Sequence, residues 1–156
     1  MLRPTTNLHI EVLHGPNMNL LGEREPEVYG SMSLPALDEY LRALSAELGA
    51  TLDTFQSNSE SALIDRLHHT RLLADGYIFN PAGYTHTSVA LRDAVLAVAK
   101  PVVEVHLSNP DAREPFRRQS FIADVALGRI VGLGPVGYGL ALRGLIHHLR
   151  SLKATG

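Results

Sequence analysis

The chain has 156 residues, 45% hydrophobic and 19% charged, which is the composition of an ordinary globular protein and enough length for one domain over residues 1–156 with a buried core. Its net charge of −2 and its scattered basic residues predict no nucleic-acid or membrane partner, and the absence of cysteine excludes disulfides, zinc–thiolate sites and a thiol nucleophile. No apolar run approaches the roughly 20 residues of a membrane-spanning helix and the N-terminus lacks a signal-peptide pattern, so we expect a cytoplasmic protein.

The first half of the chain alternates between extended and helical hydrophobic patterns. Residues Asn7–Leu13 predict a strand, and Ser33 is the expected cap of a helix that stops at Gly49. Leucines at 3-4-3-4 spacing mark one face of that helix: Leu34, Leu37, Leu41, Leu44 and Leu48. A second strand is predicted over Ala50–Phe55. A weaker helix follows it, capped by Ser59 or Ser57 and reaching Ala74.

The second half of the chain continues this alternation. Tyr77–Phe79 predicts a third strand, and a helix is expected from about Ser88 to Ala99. Pro101–Leu107 predicts a fourth strand, which a Pro- and Arg-rich loop and a helix near Gln119–Leu127 follow. A fifth strand is expected over Arg129–Leu133. The apolar face of a last helix is marked by Leu142, Leu145, Ile146 and Leu149.

Five strands that alternate with helices predict an α/β fold with a parallel sheet covered on both faces. We expect a flavodoxin-like, doubly wound sheet of five strands in three layers. Ligands of such sheets bind outside the carboxyl ends of the strands. Polar clusters follow the first, third and fourth strands, in the stretches HGPNMN (14–19), NPAGYTHTS (80–88) and EVHLSNP (104–110). The sequence therefore predicts a binding site for a small polar molecule at this edge.

The long segment between the first strand and its helix carries Arg24 and Tyr29. Connections of about a dozen residues are longer than usual and often act as lids. A tyrosine is a poor base at neutral pH unless a nearby cation stabilises its phenolate, and Arg24 could supply that cation. Taken alone, an arginine and a tyrosine five residues apart favour an ordinary loop.

The fourth strand predicts a polar pair on one of its faces. Alternation places Glu104 and His106 on the side opposite Val103, Val105 and Leu107. Burying a carboxylate and an imidazole is costly unless they are paired or used, so this is either a catalytic or a structural pair. Further on, the spacing of Arg113 and Arg117 fits one helical face directed at an anion or hydroxyl.

Four other classes of protein fit the sequence less well. The glycines of GLGPVG (132–137) match a dinucleotide motif, but no further strand or acidic residue follows, so close packing of the last strand and helix is favoured. A flavin module would need hydroxyl side chains where GPNMNLL is apolar, and a phospho-acceptor receiver would need an aspartate in place of Asn80. A metal-dependent lyase is the alternative among enzymes, yet His68–His69 and His147–His148 lie at adjacent helical positions that point apart.

Five blocks of sequence, in order from about residue 8 to residue 149, resemble the type II 3-dehydroquinate dehydratases. They are LHGPNMNLLGEREPEVYG, QSNSE, FNPAGYTHTSVALRDA, VEVHLSNPDAREPFRRQS and GLGPVGYGLAL. The resemblance covers nearly the whole chain. It departs at Met18, where leucine is usual, and at no position that the family uses for chemistry.

The resemblance implies roles for individual residues. Tyr29 is similar to the base, Arg24 to the residue that favours its phenolate, Asn17 to the group that holds a water or the enolate oxygen, and His106 to the acid. Substrate-binding roles are implied for Asn80, His86, Leu107 (through its backbone), Ser108, Arg113 and Arg117, and for Asp93 from a neighbouring subunit. Glu104 is interpreted as a partner that adjusts the site from behind.

The resemblance also implies a reaction. 3-Dehydroquinate would lose water to give 3-dehydroshikimate, a step of the shikimate pathway, through an enolate and without a cofactor, a metal or a Schiff base. A Schiff base needs a lysine at the site, but Lys100 is expected at the entrance of the fourth strand and Lys153 in a tail after the last helical turn. The expected assembly is a homo-oligomer, a dodecamer of four trimers.

Overall fold

The computed structural model describes residues 7–156 and contains one parallel β-sheet. Its five strands are β1 (Leu8–His14), β2 (Ala50–Gln56), β3 (Gly76–Asn80), β4 (Val102–His106) and β5 (Gly128–Val131). They lie in the order β2-β1-β3-β4-β5, and all four pairings are parallel. The predicted flavodoxin-like sheet is therefore confirmed, with strand ends that differ from the predicted ones by at most two residues.

Helices cover both faces of the sheet and complete three layers. They are α1 (Pro26–Tyr29), α2 (Leu34–Glu47), α3 (Glu60–Thr70), α4 (Val89–Val98) and α5 (Pro135–Ala154). The leucine face of α2 packs with α5 against one face of the sheet, where Leu37 and Leu41 are fully buried. Residues of α3 and α4 form a second apolar cluster on the opposite face. No helix among residues 7–156 is long and apolar enough to cross a membrane.

Serine side chains begin three of the helices by capping free backbone amides. Ser33, Ser59 and Ser88 each accept a hydrogen bond from the amide three residues ahead. Of the two predicted caps for α3, Ser59 is therefore the right one, while Ser57 accepts from the amide of Ser59. The starts of α2, α3 and α4 are thus encoded locally in the sequence.

The predicted helix near Gln119–Leu127 is wrong, because this segment forms only turns. Long-range bonds hold its backbone at both ends: the Phe121 amide donates to the Thr85 carbonyl, and the Leu127 amide donates to the Val102 carbonyl. Between them the Ser120 hydroxyl oxygen accepts from the amides of Ile122 and Ala123. Hydrogen bonds to other parts of the chain and to Ser120 therefore occupy backbone amides that a helix would have paired internally.

Two other local expectations also need correction. Arg113 and Arg117 do not share a helical face, because Pro110–Ala112 and Pro115–Arg117 are separate 3₁₀ turns with extended backbone at Arg113. Lys153 does not lie in a tail, since α5 continues through Ala154. The start of α5 at Pro135 also precedes its predicted apolar face by two turns.

The loop after β1 lies directly against the loop after β3. The Gly15 amide donates to the Asn80 carbonyl at 2.7 Å. A Cβ atom at position 15 would lie 2.5 Å from the Pro81 carbonyl oxygen and 2.9 Å from the Asn80 oxygen. Only glycine allows this approach, which brings two polar clusters of the sheet edge together.

We expect Gly15→Ala to destabilise the protein by about 2–4 kcal/mol, because the added methyl group meets backbone that cannot rotate away. Gly144→Ala is the matched control. Gly144 is exposed within α5 and a Cβ there meets nothing within 4 Å. The control should stabilise the protein by up to about 1 kcal/mol through helix propensity. Urea unfolding measures both, and an unaltered midpoint for Gly15→Ala would contradict the close approach.

Candidate active site

A cavity of about 180 Å³ opens at the carboxyl edge of the sheet, between the segments that follow β1, β3 and β4. Ten of the twelve residues selected from the sequence line it. The position agrees with the rule that doubly wound sheets bind ligands outside the carboxyl ends of their strands. The three predicted polar clusters therefore converge on one cavity.

Two arginines surround the hydroxyl-bearing ring of Tyr29. Arg113 donates a hydrogen bond from Nη1 to the phenol oxygen at 2.8 Å. The guanidinium carbon of Arg24 lies 5.1 Å from the ring centroid, and that of Arg113 lies 5.5 Å from it. Arg24 is thus the nearer cation to the ring, but Arg113 is the one bonded to the oxygen. Both positive charges lie beside the phenol group of Tyr29.

Backbone geometry fixes where Tyr29 stands. Glu25 adopts a left-handed conformation with φ of 40°, and Pro26 then starts the single turn of α1 that ends at Tyr29. Asn17, at the beginning of the same connection, has φ of 70°. Its backbone N–H donates to Asn58 Oδ1 at 2.9 Å. These two bends fold the long connection back over the cavity.

The end of β3 supplies a nearly buried amide. Asn80 is 3% exposed, and its Oδ1 accepts from the Ala82 amide at 3.0 Å. Its Nδ2 faces the sulfur of Met18 at 3.5 Å, which is a weak acceptor. The Asn80 amide group therefore keeps hydrogen-bonding capacity for a molecule in the cavity.

His86 stands beside Asn80 on the 3₁₀ turn Ala82–His86. Its Nδ1 donates to the Gln119 carbonyl at 2.7 Å, which leaves Nε2 as the nitrogen free to accept. Burial lowers the pKa of His86, and the charges of His106, Arg117 and Arg129 lower it further. The hydrogen bond to Gln119 acts in the opposite direction but does not outweigh them. A neutral His86 suits contact with a hydroxyl group.

The end of β4 carries His106, whose ring is held from behind by Glu104. The His106 Nε2 and Glu104 Oε2 atoms are 2.5 Å apart, and both residues are buried. Burial alone would raise the pKa of Glu104, but the bond and charge of His106, the Thr85 hydroxyl and the charge of Arg129 together hold it below its ordinary value. An ionised Glu104 fixes Nε2 as a donor and leaves Nδ1 as the free ring nitrogen.

Residues after β4 form the basic wall of the cavity. Ser108 Oγ lies 3.5 Å from Arg113 Nη1, and the side chain of Leu107 is buried in the core, so that Leu107 offers the cavity its backbone. Arg117 is paired with Glu114, from Nε to Oε2 at 2.6 Å. This wall suits the carboxylate and hydroxyl groups of a small acid.

Two of the twelve selected residues do not line the cavity. Glu104 lies behind His106, as the sequence interpretation expected. Asp93 is exposed on the outer side of α4. Within its own chain Asp93 contributes nothing to the cavity.

The sequence interpretation missed the groups that surround Glu104. Thr85, Ser120 and Arg129 reach this carboxylate from the 3₁₀ turn after β3, from the loop after β4 and from β5. The sequence gives little indication of which serine and threonine side chains in loops will contact a buried group. The register that puts Arg129 beside Glu104 is a property of strand pairing, so the alternation of β5 alone could not reveal it.

A second missed group is a buried polar chain near the end of β1. The fully buried His14 contacts the Tyr138 hydroxyl through Nδ1 at 3.0 Å and Asp38 through Nε2 at 2.8 Å. Burial raises the pKa of Tyr138, which keeps it a neutral phenol. These contacts tie β1 to α2 and α5 beside the cavity.

A possible metal-binding group within residues 7–156 lies away from the cavity. Ligand atoms of His9, Glu11 and Asp53 are within 4.8 Å of one another on β1 and β2. Arg66, however, already pairs with both oxygens of Glu11. This group does not bear on the chemistry of the cavity.

Comparisons with known proteins agree with this geometry. Residues 8–146 match the family described as Dehydroquinase class II. A 3-dehydroquinate dehydratase from Parasynechococcus marenigrum (strain WH8102) is 52% identical over 92% of this chain and 98% of its own length. One from Desulforudis audaxviator (strain MP104C) is 56% identical over 89% of this chain and 93% of its own length.

Solved structures give the same result. The crystal structure of a type II dehydroquinase from Butyrivibrio crossotus DSM 2876 superposes with a TM-score of 0.87 at 38% identity. The match covers 89% of this chain and 97% of that chain. With sequence, fold and cavity in agreement, the chain belongs to the class II dehydroquinase family.

Proposed function

We propose that this protein dehydrates 3-dehydroquinate to 3-dehydroshikimate through an enolate, using neither a Schiff base nor a metal, as a step of the shikimate pathway in the cytoplasm. Its relatives bear the name 3-dehydroquinate dehydratase, which supports the overall reaction. The observation that carries the mechanism is the pairing, in one cavity, of an arginine-bound Tyr29 hydroxyl with the His106–Glu104 pair. One group can take a proton and the other can give one.

Proton removal begins the reaction. Tyr29, as the phenolate, takes the proton from the carbon next to the ketone, and the electron pair moves onto the ketone oxygen. Arg24 and Arg113 stabilise the phenolate before this step. Asn17 holds the water or the enolate oxygen on which charge develops. Donors placed in advance for that charge are the main source of rate enhancement in such sites.

Loss of the hydroxyl completes the elimination. The enolate re-forms the ketone as the C–O bond at the β-carbon breaks, and His106 donates a proton so that the leaving group departs as water. In this step His106 acts as the imidazolium, with Nε2 held by the ionised Glu104 and Nδ1 directed to the leaving group. Proton and electron pair are thus accounted for without any cofactor.

The remaining cavity residues bind the substrate. Ser108 and the Leu107 backbone, with Asn80, hold the carboxylate, and His86 and Arg117 contact the ring hydroxyls. Arg113 also binds the substrate, in addition to its hydrogen bond to the Tyr29 hydroxyl. Neutral groups from Asn80 to His86 give directional bonds on one side of the cavity, and arginines provide charge on the other.

A direct assay tests the function and the role of Tyr29 together. The purified chain should convert 3-dehydroquinate to 3-dehydroshikimate, followed by the absorbance of the new enone. Tyr29→Phe deletes the base and keeps the ring, so kcat should fall roughly 100- to 10,000-fold with the fold intact. Tyr40→Phe, which removes a hydroxyl outside the cavity, is the control. A folded wild type without turnover would disprove the proposed function, and a fully active Tyr29→Phe would remove only the tyrosine.

The positions of the two lysines support the proposal that no Schiff base forms. Lys100 stands between α4 and β4, at the amino end of that strand, and Lys153 is in the last turn of α5. Neither lines the cavity. Borohydride added with substrate should leave no reduced adduct by mass spectrometry, and Lys100→Arg should retain wild-type kcat. Detection of an adduct on either lysine would disprove the free-enolate route.

We also propose a homo-oligomer in which Asp93 serves a neighbouring subunit, in a dodecamer of four trimers. The exposed position of Asp93 on α4, outside the cavity of its own chain, leaves it available to another subunit. Light scattering on the active enzyme should give the mass of twelve 17.0 kDa chains. A fully active monomer would contradict this assembly.

A further inference from the structure

An arginine outside the cavity lies beside the carboxylate that supports His106. Arg129 on β5 is the direct neighbour of Glu104 in the parallel register of β4 and β5. Its Nε atom is 3.2 Å from Glu104 Oε1. Nε and Nη2 are buried and have no hydrogen-bond partner within the described part of the chain. Glu104 is therefore the counter-charge of a largely desolvated guanidinium.

The hydrogen bonds around Glu104 favour its carboxylate form. Its two oxygens accept from the hydroxyls of Thr85 and Ser120, at 2.5 and 2.9 Å, and from His106 Nε2. Ser120 already accepts from two backbone amides, so its single proton is directed to Glu104. A protonated Glu104 would have to donate where the two hydroxyls already donate.

Burial opposes that ionisation, and a nearby cation offsets the cost. Glu104 is 0% exposed, and a buried carboxylate is costly unless it is paired. Permanent positive charge next to Glu104 comes from Arg129, because His106 is charged only in one of its two protonation states. The pair therefore remains when His106 gives up its proton to the leaving group.

We propose that Arg129 is a positioning residue for the acid step, which acts through Glu104 by keeping that carboxylate ionised and bonded to His106 Nε2. This proposal rests on the proposed dehydration. Arg129 does not line the cavity and so does not contact the substrate. Its charge holds the imidazole in the orientation that leaves Nδ1 free for the departing hydroxyl.

The other charged groups around His106 do not take the place of Arg129. The His86 ring stacks on His106 with centroids 6.5 Å apart, and Arg24, Tyr29, Arg113 and Arg117 line the same cavity. They face the substrate side of the imidazole. Arg129 is the arginine that is paired with Glu104 on the protected side, where the charge of Glu104 also helps to hold the edge strand β5.

The first measurement compares charge-removing and charge-keeping variants in the enone assay. Arg129→Met should lower kcat about tenfold and change KM less than about twofold, because substrate contacts are retained. Arg129→Lys restores a cation and should keep at least about a third of the wild-type kcat. Arg143→Met, which removes an exposed arginine of α5, should behave as wild type. Circular dichroism checks each fold, and Arg129→Gln replaces the methionine variant if that one does not fold.

The decisive readout is a double-mutant cycle with Glu104→Gln. If Arg129 acts through Glu104, Arg129→Met should change kcat less than about twofold once Glu104→Gln is present. A merely structural arginine would cost the same factor in both backgrounds. An unchanged kcat in Arg129→Met, or equal losses in the two backgrounds, overturns the proposal while wild-type turnover still stands. A folded wild type that is inactive would instead disprove the proposed function itself.

Discussion

The buried carboxylate of Glu104 is the constraint on which the catalytic edge of this fold depends. It joins four separate parts of the chain: the end of β4 through His106, the turn after β3 through Thr85, the later loop through Ser120, and β5 through Arg129. Because a buried charge is tolerated only when its partners are all present, these segments must assemble together. The same requirement explains why residues 119–127 are not helical, since Ser120 is committed to Glu104 and to two amides of its own loop.

A second constraint acts where the strands end. Parallel strands bring every βα connection to one edge, but they do not by themselves bring the loops into contact. The missing side chain of Gly15 allows the loop after β1 to bond to the last residue of β3, and the left-handed residues Asn17 and Glu25 then turn the long connection over the cavity. Tyr29 reaches Arg113, 84 positions later in the chain, only because these bends are in place.

Much of the fold could be predicted from the sequence because its signals are local. The leucine spacing of α2, the serine caps and the alternation in β4 each depend on a few neighbouring residues, and the Glu104–His106 pair followed from that alternation. The failures share a different cause. Arg129 contacts Glu104 because of strand register, and Thr85 and Ser120 come together there because of loop packing. The guanidinium bonded to Tyr29 belongs to Arg113 rather than to Arg24, which is nearer in the sequence. Each of these contacts joins residues distant in the sequence, which periodicity does not encode.

The arrangement of charge in the cavity fits the proposed pairing of a base and an acid in one small site. Arginines gather around Tyr29, where the proposed mechanism needs a negative oxygen and where enolate charge would develop nearby. Around His106 the neighbouring charge has the opposite sign, because the ionised Glu104 lies behind the ring. His86 beside it stays neutral, since its pKa is lowered. The proposed proton transfers, from the substrate carbon to Tyr29 and from His106 to the leaving oxygen, would exchange charge between two environments, one with arginines and one with a carboxylate. The fold keeps the proposed base and the proposed acid apart. Tyr29 lies in the connection after β1 and His106 at the end of β4, and β3 separates these two strands in the sheet.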